Sequence, residues 1–176
     1  GGGSPLSSQP MKIYRSALLR FAPDGSPLYD SDGLLATAPD AQGQERVVAA
    51  GSWQALQAYY TQEAGAQVQH LPGRLIAPGF VDMHIHYPQT DVIGAPAEGL
   101  LPWLTHYTFP HESRFHDRAY ADGVAEFFLD ELLRNGVTTA LTFATSHPAS
   151  VDAILAAAQA RGMRMIGGKV MMDRNA

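Results

Sequence analysis

One short segment, residues 78–86 with the sequence Pro-Gly-Phe-Val-Asp-Met-His-Ile-His, constrains the fold of this chain more than any other. Its alternation of apolar and polar residues after Pro-Gly predicts a β-strand. Side chains of a strand alternate between two faces. Strict alternation predicts one polar face with Asp82, His84 and His86, and one apolar face with Val81, Met83 and Ile85. Two imidazoles at one strand end can bind a divalent metal ion, although an ordinary half-buried strand would show the same alternation.

Composition narrows the classes of protein that this chain can belong to. A length of 176 residues predicts one domain or two small ones, and 45% hydrophobic with 16% charged residues is typical of a globular chain. The net charge of −5, without any basic stretch, argues against a nucleic-acid-binding surface. No apolar run is long enough for a membrane span, and we expect a cytoplasmic protein. Cysteine is absent, so a metal ion must be bound by histidines and carboxylates.

The first part of the chain divides into a tail and a β-rich domain. Residues 1–10 are rich in Gly, Ser and Pro, which indicates an artificial linker or a disordered tail. Residues 11–77 are predicted to form a small β-rich domain with strands at 12–19 and 45–50, and residues 68–76 lead the chain out of it. A helix is predicted over 53–62, with Ser52 as its N-cap. Turns are predicted at three dipeptides: Asp24-Gly25, Asp32-Gly33 and Gln42-Gly43.

The second part, residues 78–176, changes to a pattern of alternating strands and helices. Strands are predicted at 79–86, 137–144 and 163–172, helices at 118–135 and 149–161, and a long Pro-rich loop at 87–116. Apolar strands separated by helices favour parallel pairing with right-handed crossovers. The fold class is therefore α/β. Three such units are fewer than the eight of a closed barrel, so we expect the chain to stop within an unfinished fold.

Motifs throughout the chain resemble a known family. They lie at 78–86, 84–89 (His-Ile-His-Tyr-Pro-Gln), 100–104 (Leu-Leu-Pro-Trp-Leu), 107–110 (Tyr-Thr-Phe-Pro), 134–140 (Arg-Asn-Gly-Val-Thr-Thr-Ala) and 168–175 (Gly-Lys-Val-Met-Met-Asp-Arg-Asn). The first resembles the first-strand signature of the amidohydrolase superfamily. The others resemble the bacterial guanine deaminases within it. The resemblance runs from about residue 11 to the last residue.

The resemblance implies a fold, a cofactor and a substrate. The fold would be the first three βα units of a (β/α)8 TIM barrel, preceded by part of a small N-terminal β-sandwich. The reaction would be zinc-dependent hydrolysis of guanine to xanthine and ammonia. His84 and His86 match metal ligands, whereas Gln89 and Trp103 match residues that contact guanine or a related purine. No catalytic residue is assigned within the chain, because the proton-shuttling Glu and the other ligands belong to later strands. A fragment of this kind would be inactive alone, and the full-length protein would be a homodimer.

Other interpretations of the residues remain open at this point. Asp82 is more typical of a structural acid below the site than of a ligand. His106, His111 and His116 follow neither strand nor helix spacing, which favours exposed loop positions. Lys169 is predicted to lie on a strand in a structural role. The signature strand also fits a two-metal cyclic-amide hydrolase, or a non-catalytic module that uses its histidine pair for metal binding or assembly.

Overall fold

The computed structural model describes residues 11–62 and 66–172, and its contacts divide the chain into two compact units between Pro78 and Gly79. The predicted tail at residues 1–10 lies outside the described residues. Among the helices that are described, none combines the length and the apolar character needed to cross a membrane.

The first unit is a four-stranded sheet with one helix. Its elements are β1 (Lys12–Phe21), β2 (Pro27–Pro39), β3 (Glu45–Ser52), α1 (Trp53–Tyr60) and β4 (Gln67–Ile76). The strand order is β3-β2-β1-β4. Strand β2 pairs antiparallel with β1 and β3, whereas β4 pairs parallel with β1. The core contains Ile13, Leu34 and Ala36, all fully buried, and α1 packs Trp53 and Leu56 against them.

Strand β2 corrects one prediction in this unit. The Asp32-Gly33 dipeptide was predicted as a turn but lies inside β2. Gly33 is needed for close approach, because a Cβ at this position would lie 2.5 Å from the Leu18 Cβ. Strand β1 is irregular at the same place, since its pairing with β2 shifts between Ser16 and Leu18. The other predicted turns are confirmed, with φ of 83° at Gly25 and 77° at Gly43.

The second unit is a three-stranded parallel sheet with two long helices. It contains β5 (Phe80–His86), α4 (Arg118–Arg134), β6 (Val137–Phe143), α5 (Pro148–Ala160) and β7 (Arg164–Gly168). The strand order is β5-β6-β7, and both pairs are parallel. The predicted succession of strand, helix, strand, helix and strand is therefore confirmed. Strand β7 ends at Gly168, so the prediction that Lys169 lies on a strand was wrong.

Local sequence explains the limits of α4. The Asp117 carboxylate accepts a hydrogen bond from the backbone N–H of Ala119 at 2.9 Å and thereby caps the first turn. The helix ends before Gly136, which adopts a φ of 81°. Between these limits, α4 contributes Ala121, Ala125 and Leu129 to a core shared with α5 and the sheet.

The segment 87–116 was predicted as a loop but folds mostly into short helices. These are a 3-10 helix (Tyr87–Val92), α2 (Leu100–Trp103), a π-helix (Leu104–Thr108), α3 (Phe109–Glu112) and a second 3-10 helix (Ser113–His116). Pro88 and Pro110 occupy first-turn positions, where proline starts a helix and does not break it. Tyr87 and Phe115 are fully buried, with ring centroids 5.2 Å apart. The segment thus contributes Tyr87 and Phe115 to the core of the second unit.

Candidate metal and purine site

The predicted histidine pair lies at the carboxyl edge of the parallel sheet. His86 is the last residue of β5 and pairs with Phe143, the last residue of β6. Phe143 in turn pairs with Gly168, the last residue of β7. Parallel α/β sheets place ligands at the carboxyl ends of their strands. The histidines therefore occupy the edge where chemistry is expected in such a fold.

The two imidazoles point toward a common position. The distance between His84 Nε2 and His86 Nε2 is 3.1 Å. Two nitrogens that each bind a tetrahedral zinc ion at about 2.0–2.1 Å lie about 3.3 Å apart. The spacing thus suits a pair of metal ligands, and it also suits an N–H to N hydrogen bond between the rings. The residues present fit a metal ion as two of its ligands.

The electrostatics of His86 also suit a metal ligand. Burial lowers the pKa of His86 below its usual value, and the nearby His84 lowers this pKa further because a second positive charge would repel the first. A lowered pKa keeps the imidazole neutral at neutral pH. The neutral ring retains the lone pair that binds a metal ion.

Phe143 is a site residue that the sequence analysis missed. Its ring stacks on His86 with centroids 4.7 Å apart and planes 15° apart, and it lies 4.8 Å from the His84 ring at 41°. A single aromatic side chain therefore contacts both imidazoles and limits their rotation. The sequence offered one signal for Phe143, namely an aromatic residue at the end of the next predicted strand. That signal could be used only with the strand register, which the sequence does not reveal.

Asp82 departs from the strict alternation predicted for β5. The pairing of β5 with β6 shifts register between Asp82 and Ile85, so that β5 holds one extra residue in this interval. The backbone N–H of His84 donates to Asp82 Oδ1 at 3.0 Å. Asp82 therefore contacts the backbone of His84, which agrees with the structural role favoured for it. Of the face predicted to be apolar, Ile85 packs against the core, whereas Val81 and Met83 are exposed.

The residue after the histidines is anchored by a buried polar network. The Tyr87 hydroxyl donates to the backbone carbonyl of Ser150 at 2.5 Å. Ser150 Oγ accepts from the backbone N–H of Thr145 at 3.0 Å and donates to the His147 carbonyl at 2.7 Å. Because Tyr87 and Ser150 are both fully buried, these bonds tie the end of β5 to the start of α5.

Gln89 and Trp103 lie on different short helices of segment 87–116. Gln89 is half-buried in the first 3-10 helix, which packs against α3. Trp103 ends α2 and lines a shallow pocket with Gly94, Ala97 and other small residues. The lining of that pocket includes neither Gln89 nor the histidine pair. Gln89 therefore lies three residues after His86 in the chain. Trp103 lines a separate pocket.

The remaining histidines of the second unit do not extend the metal site. His106 is exposed, while His111 Nδ1 lies 2.9 Å from the Tyr107 carbonyl and His116 Nδ1 lies 2.6 Å from the Ser113 carbonyl. Within residues 11–62 and 66–172, no cluster of three or more His, Asp or Glu side chains could bind a metal ion. In the described part of the chain, the candidate ligands are therefore the pair His84 and His86.

Residues 75–176 match the sequence model of a family described as the amidohydrolase family. The match covers more than half of the chain and includes β5, both histidines and all of the second unit. This chain belongs to the amidohydrolase family. The carboxyl-edge histidines of this amidohydrolase chain lie within the matched residues.

Several guanine deaminases are similar to this amidohydrolase chain. The guanine deaminase of Escherichia coli (strain K12) is 58% identical over 110 residues, which are 62% of this chain and 25% of that protein. A probable guanine deaminase of Deinococcus radiodurans is 40% identical over 172 residues, 93% of this chain and 38% of its own length. The chain thus spans between a quarter and two fifths of these relatives.

Solved structures show the same similarity. The structure of E. coli guanine deaminase matches with a TM-score of 0.80 at 44% identity, covering 94% of this chain and 38% of that one. The guanine deaminase from Bradyrhizobium japonicum matches with a TM-score of 0.83 at 33% identity, covering 95% and 36%. The α/β fold is therefore that of the corresponding part of these structures.

Proposed function

We propose that this chain is part of a zinc-dependent guanine deaminase, which hydrolyses guanine to xanthine and ammonia. The observation that carries the proposal is the His84–His86 pair, whose Nε2 atoms lie 3.1 Å apart at the carboxyl edge of a parallel sheet. Its substrate follows from the relatives, since those at 58% and 40% identity are named as guanine deaminase and probable guanine deaminase.

The proposal includes a domain assignment. Residues 11–77 would form part of a small N-terminal β-sandwich, and residues 78–176 would form the first three βα units of a (β/α)8 barrel. The four-stranded sheet of the first unit and the parallel sheet of the second support this assignment. TM-scores of 0.80 and 0.83 to guanine deaminase structures over most of the chain support it as well.

Each proposed site residue has a defined task. His84 and His86 would hold zinc through Nε2, with Phe143 limiting the rotation of both rings. Gln89 would hydrogen-bond the purine, because its amide carries both donors and an acceptor. Trp103 would contact the base by stacking. Zinc, when bound, would supply the activated water that the hydrolysis requires.

The chain alone would not be active, because two imidazoles do not complete a catalytic zinc site. Such a site has three protein ligands and an open position. The further ligands and a proton-shuttling Glu would come from protein beyond these 176 residues. Assembly of the full-length protein as a homodimer is part of the same proposal.

The test of the proposal is the substrate of the full-length protein. Loss of guanine should be matched by equal amounts of xanthine and ammonia, as measured by ultraviolet absorbance and an ammonia assay. Alanine at His84 or His86 should abolish turnover, whereas alanine at the exposed His106 should leave it unchanged. Hydrolysis of a cyclic amide without turnover of guanine would sink the proposal and favour another amidohydrolase activity.

A further inference from the structure

The 3-10 helix Tyr87–Val92 carries Gln89 and needs support from outside itself. It is only six residues long, and 3-10 helices have hydrogen bonds of poorer geometry than α-helices. Among the described residues, no side chain caps its start. One side-chain bond lies within the helix, from Thr90 Oγ1 to the Tyr87 carbonyl at 2.6 Å. The position of Gln89 therefore depends on the contacts that hold the two ends of this helix.

A line of three aromatic rings contacts both ends of the helix. At its start, the Tyr87 ring packs edge-on against Phe115 with centroids 5.2 Å apart. Phe115 packs edge-on against Tyr120 of α4 with centroids 5.1 Å apart. The Tyr120 hydroxyl donates to Asp91 Oδ2 at 2.6 Å, one residue before the helix ends. Gln89 lies midway between these two points of attachment.

The donor in the second attachment is held in place on a long helix. Burial raises the pKa of Tyr120, and the hydrogen bond and negative charge of Asp91 raise it further, to about 12. The hydroxyl therefore stays protonated at neutral pH and donates. The Arg114 guanidinium lies over the Tyr120 ring, 4.0 Å from its centroid, and limits the movement of the ring. A fixed donor of α4 thus meets an acceptor of the short helix.

We infer that Tyr120 is a positioning residue that holds Asp91 and thereby fixes the place of Gln89 beside the purine. This inference rests on the proposed function. Tyr120 acts through the 3-10 helix and does not touch substrate. A group that binds substrate must be held to within about 0.5 Å of its productive position. The Tyr120–Asp91 bond is exposed and contributes little to overall stability, so we expect its loss to affect substrate binding more than folding.

Tyr120→Phe in the zinc-loaded full-length protein tests the inference, because it removes the hydroxyl and keeps the ring. The KM for guanine should rise roughly three- to tenfold with a much smaller change in kcat, since the hydrogen bond from a displaced Gln89 is weakened. Asp91→Ala should have the same effect. Asp91→Asn keeps an acceptor oxygen and should leave KM within about twofold of wild type. Tyr29→Phe, at a ring that is 64% exposed in β2, is the matched control and should leave both constants unchanged.

A double-mutant cycle separates positioning from a merely structural role. In a Gln89→Ala background, Tyr120→Phe should have no further effect on KM, because Tyr120 acts through the missing amide. The zinc content of Tyr120→Phe should equal that of the wild type. If the wild type turns over guanine, three results would overturn the inference alone: an unchanged KM in Tyr120→Phe, an equal rise with and without Gln89, or a loss of zinc. Absence of guanine turnover by the wild type would overturn the proposed function, and this inference with it.

Discussion

Phe143 contacts both histidines of the proposed metal site. Its ring contacts His84 and His86 at centroid distances of 4.8 and 4.7 Å, so neither imidazole turns freely. Groups that support ligands in this way contribute to metal affinity although they donate no electrons to the metal. The proposal of His84 and His86 as a metal pair needed only their spacing in the sequence. Prediction of Phe143 needed the pairing of His86 with Phe143, which is a property of the folded sheet.

Replacement of Phe143 tests this role at the residue scale. We expect Phe143→Leu to weaken zinc binding by the full-length protein about 10-fold, because support of this kind is worth 10–100-fold in affinity. Competition with a chromophoric chelator measures the dissociation constant. Phe127→Leu is the matched control, since Phe127 is 55% exposed on α4 and should leave zinc affinity unchanged. Unaltered affinity in Phe143→Leu would show that stacking does not preorganise the pair.

At the scale of elements, the two long helices and the strands of the second unit were predictable, whereas β2 and segment 87–116 were not. Helix α4 has apolar residues at helical spacing between Asp117 and Gly136, and its limits were predicted within two residues. Helices of four to six residues contain too few turns to show such a period. Prolines at their first turns look like loop signals in sequence. The extra residue of β5 near Asp82 is likewise visible only through strand pairing.

The junction of β5 and α5 gives a second prediction at this scale. Tyr87→Phe removes the hydroxyl that donates to Ser150 and leaves a buried carbonyl without this donor. We expect the free energy of unfolding to fall by about 1–2 kcal/mol, measured by urea denaturation of the full-length protein. Tyr59→Phe, at a ring that is 71% exposed, should change it by less than about 0.5 kcal/mol. Equal stability of the two variants would contradict an anchoring role for Tyr87.

At the scale of the whole molecule, the two units carry different parts of the account. The first unit contains a sheet and one helix, and the second contains every residue proposed for the site. The family was recognisable from motifs within the second unit. A complete set of metal ligands was not recognisable, because the described residues include no group of three or more His, Asp or Glu side chains that could hold a metal ion.

The most direct test of the central claim is the zinc content of the full-length protein, measured by atomic absorption after removal of loosely bound metal. We predict one zinc ion per subunit in the wild type and in His106→Ala, and a loss of zinc together with xanthine formation in His84→Ala and His86→Ala. One tightly bound zinc ion retained in both variants would contradict the assignment of His84 and His86 as metal ligands.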